Sequence, residues 1–221
     1  MQQKKCIISI GTGGFGRGID RLRESLKDFD GDLILQKDLP ANFPSNEEVP
    51  YGFKCYAFWE AIYLGYTEIL WVDSSFYAVN SVEPIFDIIR EQGYYFVSNG
   101  LNCAQECNDN CLNYFRLTRD EAEDIPMISA GIIGLNIMDL KGLSFLLEWR
   151  KALNYGIFKG NRSHDIRDSA DWRFLHHRHD QSAASCIIHK STLKIEPLGD
   201  KVQYYGQNIK DSVIFLIHGG F

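Results

Sequence analysis

The chain has 221 residues, enough for one sizeable α/β core and short for two. Its 45% hydrophobic and 24% charged content excludes a disordered polymer, and a formal charge of −6 excludes a general nucleic-acid binder, which needs a basic face. No apolar stretch approaches the ~20 residues of a membrane span, so a cytoplasmic protein is expected, with its six cysteines as reduced thiols rather than a disulfide framework.

Short apolar runs alternate with amphipathic stretches, the pattern of a mostly parallel sheet flanked by helices, and no linker divides residues 1–221. Cys6 to Ile10 reads as a first buried strand. Ile19, Leu22 and Leu26 then recur at helical spacing, which predicts a helix from about Gly18. Leu33 to Leu35 reads as a second strand, and Ala41 to Pro50 as a loop. Phe53 to Leu64 predicts a helix leading into a strand at Ile69 to Val72. Pro84 fits the first turn of a helix that ends before Gly93, with a strand at Tyr94 to Val97. The polar stretch Asn99 to Asp124 is expected to hold a short helix. Ile128 to Ile137 reads as a central strand, and Leu143 to Asn154 as a helix with Leu146, Leu147 and Leu153 facing inward. A polar loop over Gly156 to Asp171, a helix at Gln181 to Ile188, and strands near Leu193 to Leu198 and Val213 to Ile217 complete the chain.

Gly11-Thr12-Gly13-Gly14-Phe15-Gly16 satisfies G-x-G-x-x-G between a strand and a helix, with Asp38 about 20 residues on, where a ribose-binding acid belongs. An NAD-dependent oxidoreductase is therefore one reading, and a plain flexible turn another. Arg17 and Gly18 weigh against the first, because they delay the helix and lengthen the turn.

Ile69-Leu70-Trp71-Val72-Asp73-Ser74-Ser75 ends a buried strand in a carboxylate, at the sheet edge where open α/β folds bind ligands. Alternation places Asp73 and Ser75 on one side, so both oxygens can address one divalent cation carrying a diphosphate. The alternative is that Asp73 or Ser74 caps the next helix. His176-His177-Arg178-His179-Asp180-Gln181 gathers proton-transfer and anion-binding groups before a helix. Asp180 either caps that helix or accepts a proton from an attacking hydroxyl, and Arg178 can hold a phosphate. His218, after the last strand, is a third metal-ligand candidate or an ordinary sheet-end histidine. Cys103, Cys107 and Cys111 repeat every four residues, which would align them on one helical face; a zinc or cluster site is one reading, but no fourth ligand of clear spacing follows, and reduced thiols on a local helix are expected.

With these segments in place, the chain resembles the GT-A glycosyltransferases, nucleotide-diphospho-sugar transferases with a Rossmann-like sheet. The resemblance rests on the Trp71 to Ser75 segment at the position of the D-x-D motif and on the lysine-bearing stretch Tyr51 to Ala57. It rests also on His179-Asp180-Gln181 and on His218-Gly219-Gly220. It implies a single-domain transferase that binds Mn2+ or Mg2+ through Asp73, Ser75 and His218. It places Thr12, Gly13, Lys54, Asp73, Ser74 and Arg178 at the donor, Ser129 and Gly131 in the donor or acceptor pocket, and Asp180 beside the transferred sugar. The donor implied is a nucleotide sugar, a UDP-sugar on family frequency, and the acceptor a glycan or other hydroxyl. Ser75, where the motif has a second carboxylate, keeps a third reading open, a non-catalytic nucleotide-sugar binding module.

Overall fold

In the computed structural model, which describes residues 4–218, the first half of the chain follows the hydrophobic pattern closely. Strand β1 (Lys5–Ile10) alternates its side chains between two faces: Cys6, Ile8 and Ile10 join one core cluster and Ile7 the other. A 3-10 turn (Gly13–Phe15) leads into α1 (Gly16–Ser25), which buries Ile19 and Leu22. This helix starts at Gly16, earlier than the sequence suggests, because Arg17 and Gly18 are taken into its first turns. The glycine-rich turn is therefore short, and its expected lengthening no longer counts against a dinucleotide. Strand β2 (Asp32–Gln36), helix α2 (Phe53–Tyr63) and strand β3 (Glu68–Val72) follow, the last buried at every residue.

After β3 comes a short strand, β4 (Phe76–Ala78), and only then α3 (Glu83–Gln92), so no helix begins at Asp73 or Ser74 for either to cap. Strand β5 (Tyr94–Asn102) runs longer than its apolar core. The polar stretch that follows folds into three short helices, α4 (Cys103–Glu106), α5 (Asp109–Tyr114) and α6 (Arg119–Glu123), each with a polar N-cap: Asn102, Asn108 and Thr118. Cys103, Cys107 and Cys111 therefore do not share one helix; the chain is extended at Cys107, between α4 and α5. Strand β6 (Pro126–Asn136), helix α7 (Leu140–Asn154), helix α8 (Asp180–Lys190) and the short strands β7 (Val202–Tyr204) and β8 (Phe215–Ile217) complete the order.

Two local readings are corrected. Leu147 is 49% exposed, because the inward stripe of α7 runs through Gly142, Phe145, Leu146, Trp149 and Leu153, and Leu147 is turned about 100° from Leu146. Leu193 to Leu198 is not a strand: it makes a single parallel bridge, Glu196 to Val97, and Pro197 offers no N–H to continue the ladder.

The main sheet has the order β2-β1-β3-β6-β5. Pairs β1–β2 and β1–β3 are parallel, whereas β6 is antiparallel to both neighbours, so four strands point one way and β6 runs against them. A second sheet, β4-β8-β7, flanks it. One face of the main sheet packs α2, α7 and α8 through Phe58, Trp71, Phe96, Phe145 and Trp149; the other packs α1 and α3 through Ile19, Leu22, Ile85, Phe86 and Ile89. This mostly parallel sheet with helices on both faces brings the ends of β1 and β3 to the same edge. No helix among the described residues is long and apolar enough to cross a membrane.

Candidate active site

At that edge the chain leaves β3 at Asp73, whose amide donates to the Gly131 carbonyl (2.7 Å) on the antiparallel strand β6. Gly131 is needed here: a Cβ on it would lie 2.7 Å from the Phe76 ring and 3.3 Å from Asp73 Oδ2. Its absence leaves room for that carboxylate oxygen. The other oxygen, Oδ1, accepts from Trp71 Nε1 (2.6 Å) and lies 3.2 Å from Lys54 Nζ.

Lys54, on the first turn of α2, is 3% exposed. Its ammonium donates to the Ala130 carbonyl (2.8 Å) and bridges Asp73 to Asp180 Oδ2 (3.3 Å). The hydrogen bond goes to Ala130, and the two carboxylates are held as ion pairs, leaving Asp180 Oδ2 buried without a hydrogen-bond partner. Burial opposes the charge on Lys54, but Asp180 and Asp73 outweigh it and hold its pKa above the usual value. One cation cannot fully neutralise two carboxylates. Burial first, and then the charge of Asp73, push Asp180 up to about 6 against the pull of Lys54.

Asp180 opens α8, and its carboxylate turns toward Lys54 while its backbone carbonyl accepts from Trp149 Nε1 (2.9 Å). The residue before it, His179, has φ 55 and ψ −116, and Tyr51 has φ 57. Positive φ in bulky residues is costly and persists where surrounding structure enforces it. The two strained residues are neighbours, with ring centroids 5.8 Å apart, Tyr51 on the cleft wall and His179 buried behind it.

Two contiguous cavities share Tyr51, Lys54, Asp73 and Ser75 in their walls. One, about 300 Å³, is lined also by Gly11, Thr12, Phe15, Phe53, Ser74 and Arg162. The other, about 180 Å³, is lined also by Ser129, Gly131, Arg178, Asp180, Gln181 and Tyr204. The first combines aromatic surfaces with the cation Arg162, which lies 4.9 Å over the Tyr51 ring. The second holds the buried carboxylate Asp180 and the exposed cation Arg178. A larger groove of about 440 Å³ beside Asp28, Asp30 and Glu83 has acids and no cation in its wall, a poor match to a phosphate ester.

The structure therefore brings Thr12, Lys54, Asp73, Ser74, Ser75, Ser129, Gly131, Arg178 and Asp180 to one cleft. Gly13 stands outside its lining, with φ +56 and no atom within 4 Å of a Cβ position. His218 approaches through its backbone, whose amide donates to the Ser75 carbonyl (2.8 Å). Gly219 and Gly220 lie outside the described residues.

Arg21 on α1 is a residue that sequence reasoning missed. It donates to His218 Nδ1 (2.9 Å), to the His218 carbonyl (2.9 Å) and to the Ser75 carbonyl (3.1 Å), tying the β3 turn to the C-terminal segment. Its partners are 54 and 197 residues away in sequence, so no local pattern announces them. The histidines of the 176–179 run disperse to separate partners. His176 meets Glu106 Oε1 (3.2 Å), His177 Nε2 meets the Ile157 carbonyl (3.0 Å), and His179 Nδ1 meets the Phe158 carbonyl (2.9 Å). Burial keeps His179 neutral, with its pKa down at about 4.

The chain superposes over 100% of its length on the WbbM bifunctional glycosyltransferase, with a TM-score of 0.56 and 11% identity. It spans under half of that protein, 46% of its length. It also matches a glycosyltransferase involved in the glycosylation of the major capsid of PBCV-1, with a TM-score of 0.56 and 11% identity, covering 99% of this chain and 94% of the other. The fold is a glycosyltransferase fold. No family model matches the chain, and no curated protein matches it in sequence.

Proposed function

We propose that the chain is a glycosyltransferase that moves a sugar from a nucleoside diphosphate donor, a UDP-sugar, to an acceptor hydroxyl. The observation that carries this reading is the convergence of Asp73, Lys54 and Asp180 in one two-chambered cleft at the carboxyl edge of the sheet. The 300 Å³ chamber suits the nucleoside: Phe15, Tyr51 and Phe53 offer ring faces, and Gly11 and Thr12 let the backbone come close. The 180 Å³ chamber suits the sugar, with Arg178 toward the diphosphate and Asp180 toward the reacting carbon.

A divalent cation fits part of the donor set. Asp73 Oδ2 and the Ser75 hydroxyl are hard oxygen ligands on the cleft wall, and manganese accepts an imidazole beside them. With Nδ1 of His218 accepting from Arg21, the ring proton sits on Nε2, so His218 joins the set once Arg21 releases it. When bound, Mn2+ or Mg2+ would neutralise charge on the departing diphosphate. Asp180 takes the proton of the acceptor hydroxyl as that oxygen attacks the anomeric carbon and the bond to the nucleoside diphosphate breaks. One such displacement inverts configuration. Lys54 holds both carboxylates in place, so the buried base is not left facing Asp73 unscreened.

Calorimetric titration of UDP, GDP and NAD, each with and without manganese, tests the proposal. Diphosphate binding that requires metal and is lost in Asp73→Ala is expected. Metal-independent NAD binding with no diphosphate binding would overturn it.

A further inference from the structure

The helices that follow β5 are too short to stand alone. Helix α4 has 4 residues and α5 has 6, well below the roughly 12 an isolated helix needs in water. What they bring to the core is sulfur. Cys103 on α4, Cys107 at its end, Cys111 on α5 and Cys186 on α8 are all 0% exposed. The Sγ atoms of Cys103, Cys107 and Cys186 lie within 4.8 Å of one another, and those of Cys107 and Cys186 are 4.0 Å apart. Cys111 lies outside that group of three, but its buried thiol neighbours those of Cys107 and Cys186. All four are free thiols.

That spacing is informative. Four thiolates placed 2.3 Å from a tetrahedral ion lie about 3.8 Å from each other, close to the 4.0 Å between Cys107 and Cys186 and within reach of the 4.8 Å limit that also holds Cys103. An iron–sulfur cluster would need its thiolates spread around several metal atoms, whereas Cys103, Cys107 and Cys186 crowd around one point and Cys111 stands beside two of them as the fourth ligand. The surroundings also suit an anionic site. Arg119 donates to the carbonyls of Ala104 and Cys107 (both 2.7 Å), placing a guanidinium against the loop that carries two of the sulfurs. His177 is not a competing ligand: its Nδ1 accepts from the Asn108 amide (3.2 Å) and its Nε2 donates to the Ile157 carbonyl (3.0 Å). Existing sulfur contacts are weak ones, Cys103 to Met127 Sδ (3.5 Å) and Cys107 to the Ser182 carbonyl (3.9 Å).

We propose that Cys103, Cys107, Cys111 and Cys186 bind one zinc ion as a closed structural site that staples α4 and α5 to α8. Binding releases the thiol protons to solvent and changes no oxidation state. The site is separate from the cleft, since Cys186 lies six residues beyond Asp180, roughly 9 Å along the helix. It nonetheless backs the cleft wall. Glu106 of α4 accepts from Gln181 Nε2 (3.1 Å), and Gln181 in turn accepts from the Ala130 amide (3.3 Å) beside Gly131.

The test uses the full chain, purified without chelator or polyhistidine tag. Elemental analysis is expected to find about one zinc per chain, and cobalt exchanged into the site should show the intense thiolate-to-metal absorption of tetrahedral coordination. Asp73→Ala and Cys6→Ser should keep the zinc; Cys107→Ser and Cys186→Ser should lose it. Because those last variants can fail to fold, the wild-type chain is also stripped with chelator. Its Tm is expected to fall by on the order of 10 °C and to recover on adding Zn2+. A folded, zinc-free wild-type chain whose Tm does not move on adding Zn2+ would overturn the proposal. So would a Cys107–Cys186 disulfide in the purified protein.

Discussion

The turns after β1 and β3 leave the same edge of the same sheet, yet they do different work. The β1 turn is rich in glycine and nearly bare: Gly13 and Gly14 have nothing within 4 Å of a Cβ position. The β3 turn carries Asp73, fixed by Trp71 and Lys54 against the carbonyl of Gly131. The turn that dominates the sequence as a motif supplies space, and the plainer one supplies charge. Where the two meet, Gly11 lies so close that a Cβ on it would be 2.9 Å from Ser74 Cβ.

The contrast can be broken most forcefully at Lys54. Lys54→Met removes the cation between two buried carboxylates, and such losses cost about 3–5 kcal/mol. Thermal unfolding should fall by roughly 10 °C or more, and transfer should be lost; an unchanged Tm would mean that the bridge contributes nothing. Asp180→Asn should leave the fold intact and lower kcat on the order of 10²–10⁴-fold, with donor affinity retained.

The pH dependence of that base sharpens the same point. The pKa of Asp180 is raised from 3.8 to about 6, chiefly by burial. Transfer by the wild type should therefore rise with pH through about 6 and then level off. A raised carboxyl favours the folded state when protonated, so its contribution is complete below pH 3.8 and is lost as pH climbs through about 6. Both effects should vanish in Asp180→Asn.

Smaller effects are expected in the glycine turn. Gly11→Ala would meet the Phe15 carbonyl at 2.8 Å and Ile19 Cγ1 at 2.9 Å, an overpacking cost of about 1–3 kcal/mol that denaturant unfolding would show. Gly14→Ala meets nothing and should shift stability by less than about 0.5 kcal/mol. Asp38→Ala, at an exposed position, should change donor affinity by less than about twofold; a large loss of dinucleotide binding there would restore the oxidoreductase reading.

Much of this architecture is legible in the sequence because it is periodic. The runs at Cys6 to Ile10 and Ile69 to Val72, and the inward stripe of Ile19 and Leu22, declare strand and helix by their spacing alone. The direction of β6 is not legible, since a fully buried strand reads the same both ways. Among the site residues, Asp73 stands out because a charge ends a buried strand. Lys54 is placed at the donor by the family resemblance alone, and its two carboxylate partners lie 19 and 126 residues away. The strain at Tyr51 and His179 is likewise a property of the packed structure, since nothing in either residue type demands a positive φ.

Release of nucleoside diphosphate from a panel of nucleotide sugars, followed with manganese for the wild type, Asp73→Ala and Asp180→Asn, tests the central claim most directly. Turnover of a UDP-sugar by the wild type, with binding lost in Asp73→Ala and catalysis lost in Asp180→Asn, is the predicted result. Equal turnover by all three proteins would place the chemistry outside this cleft and contradict the account.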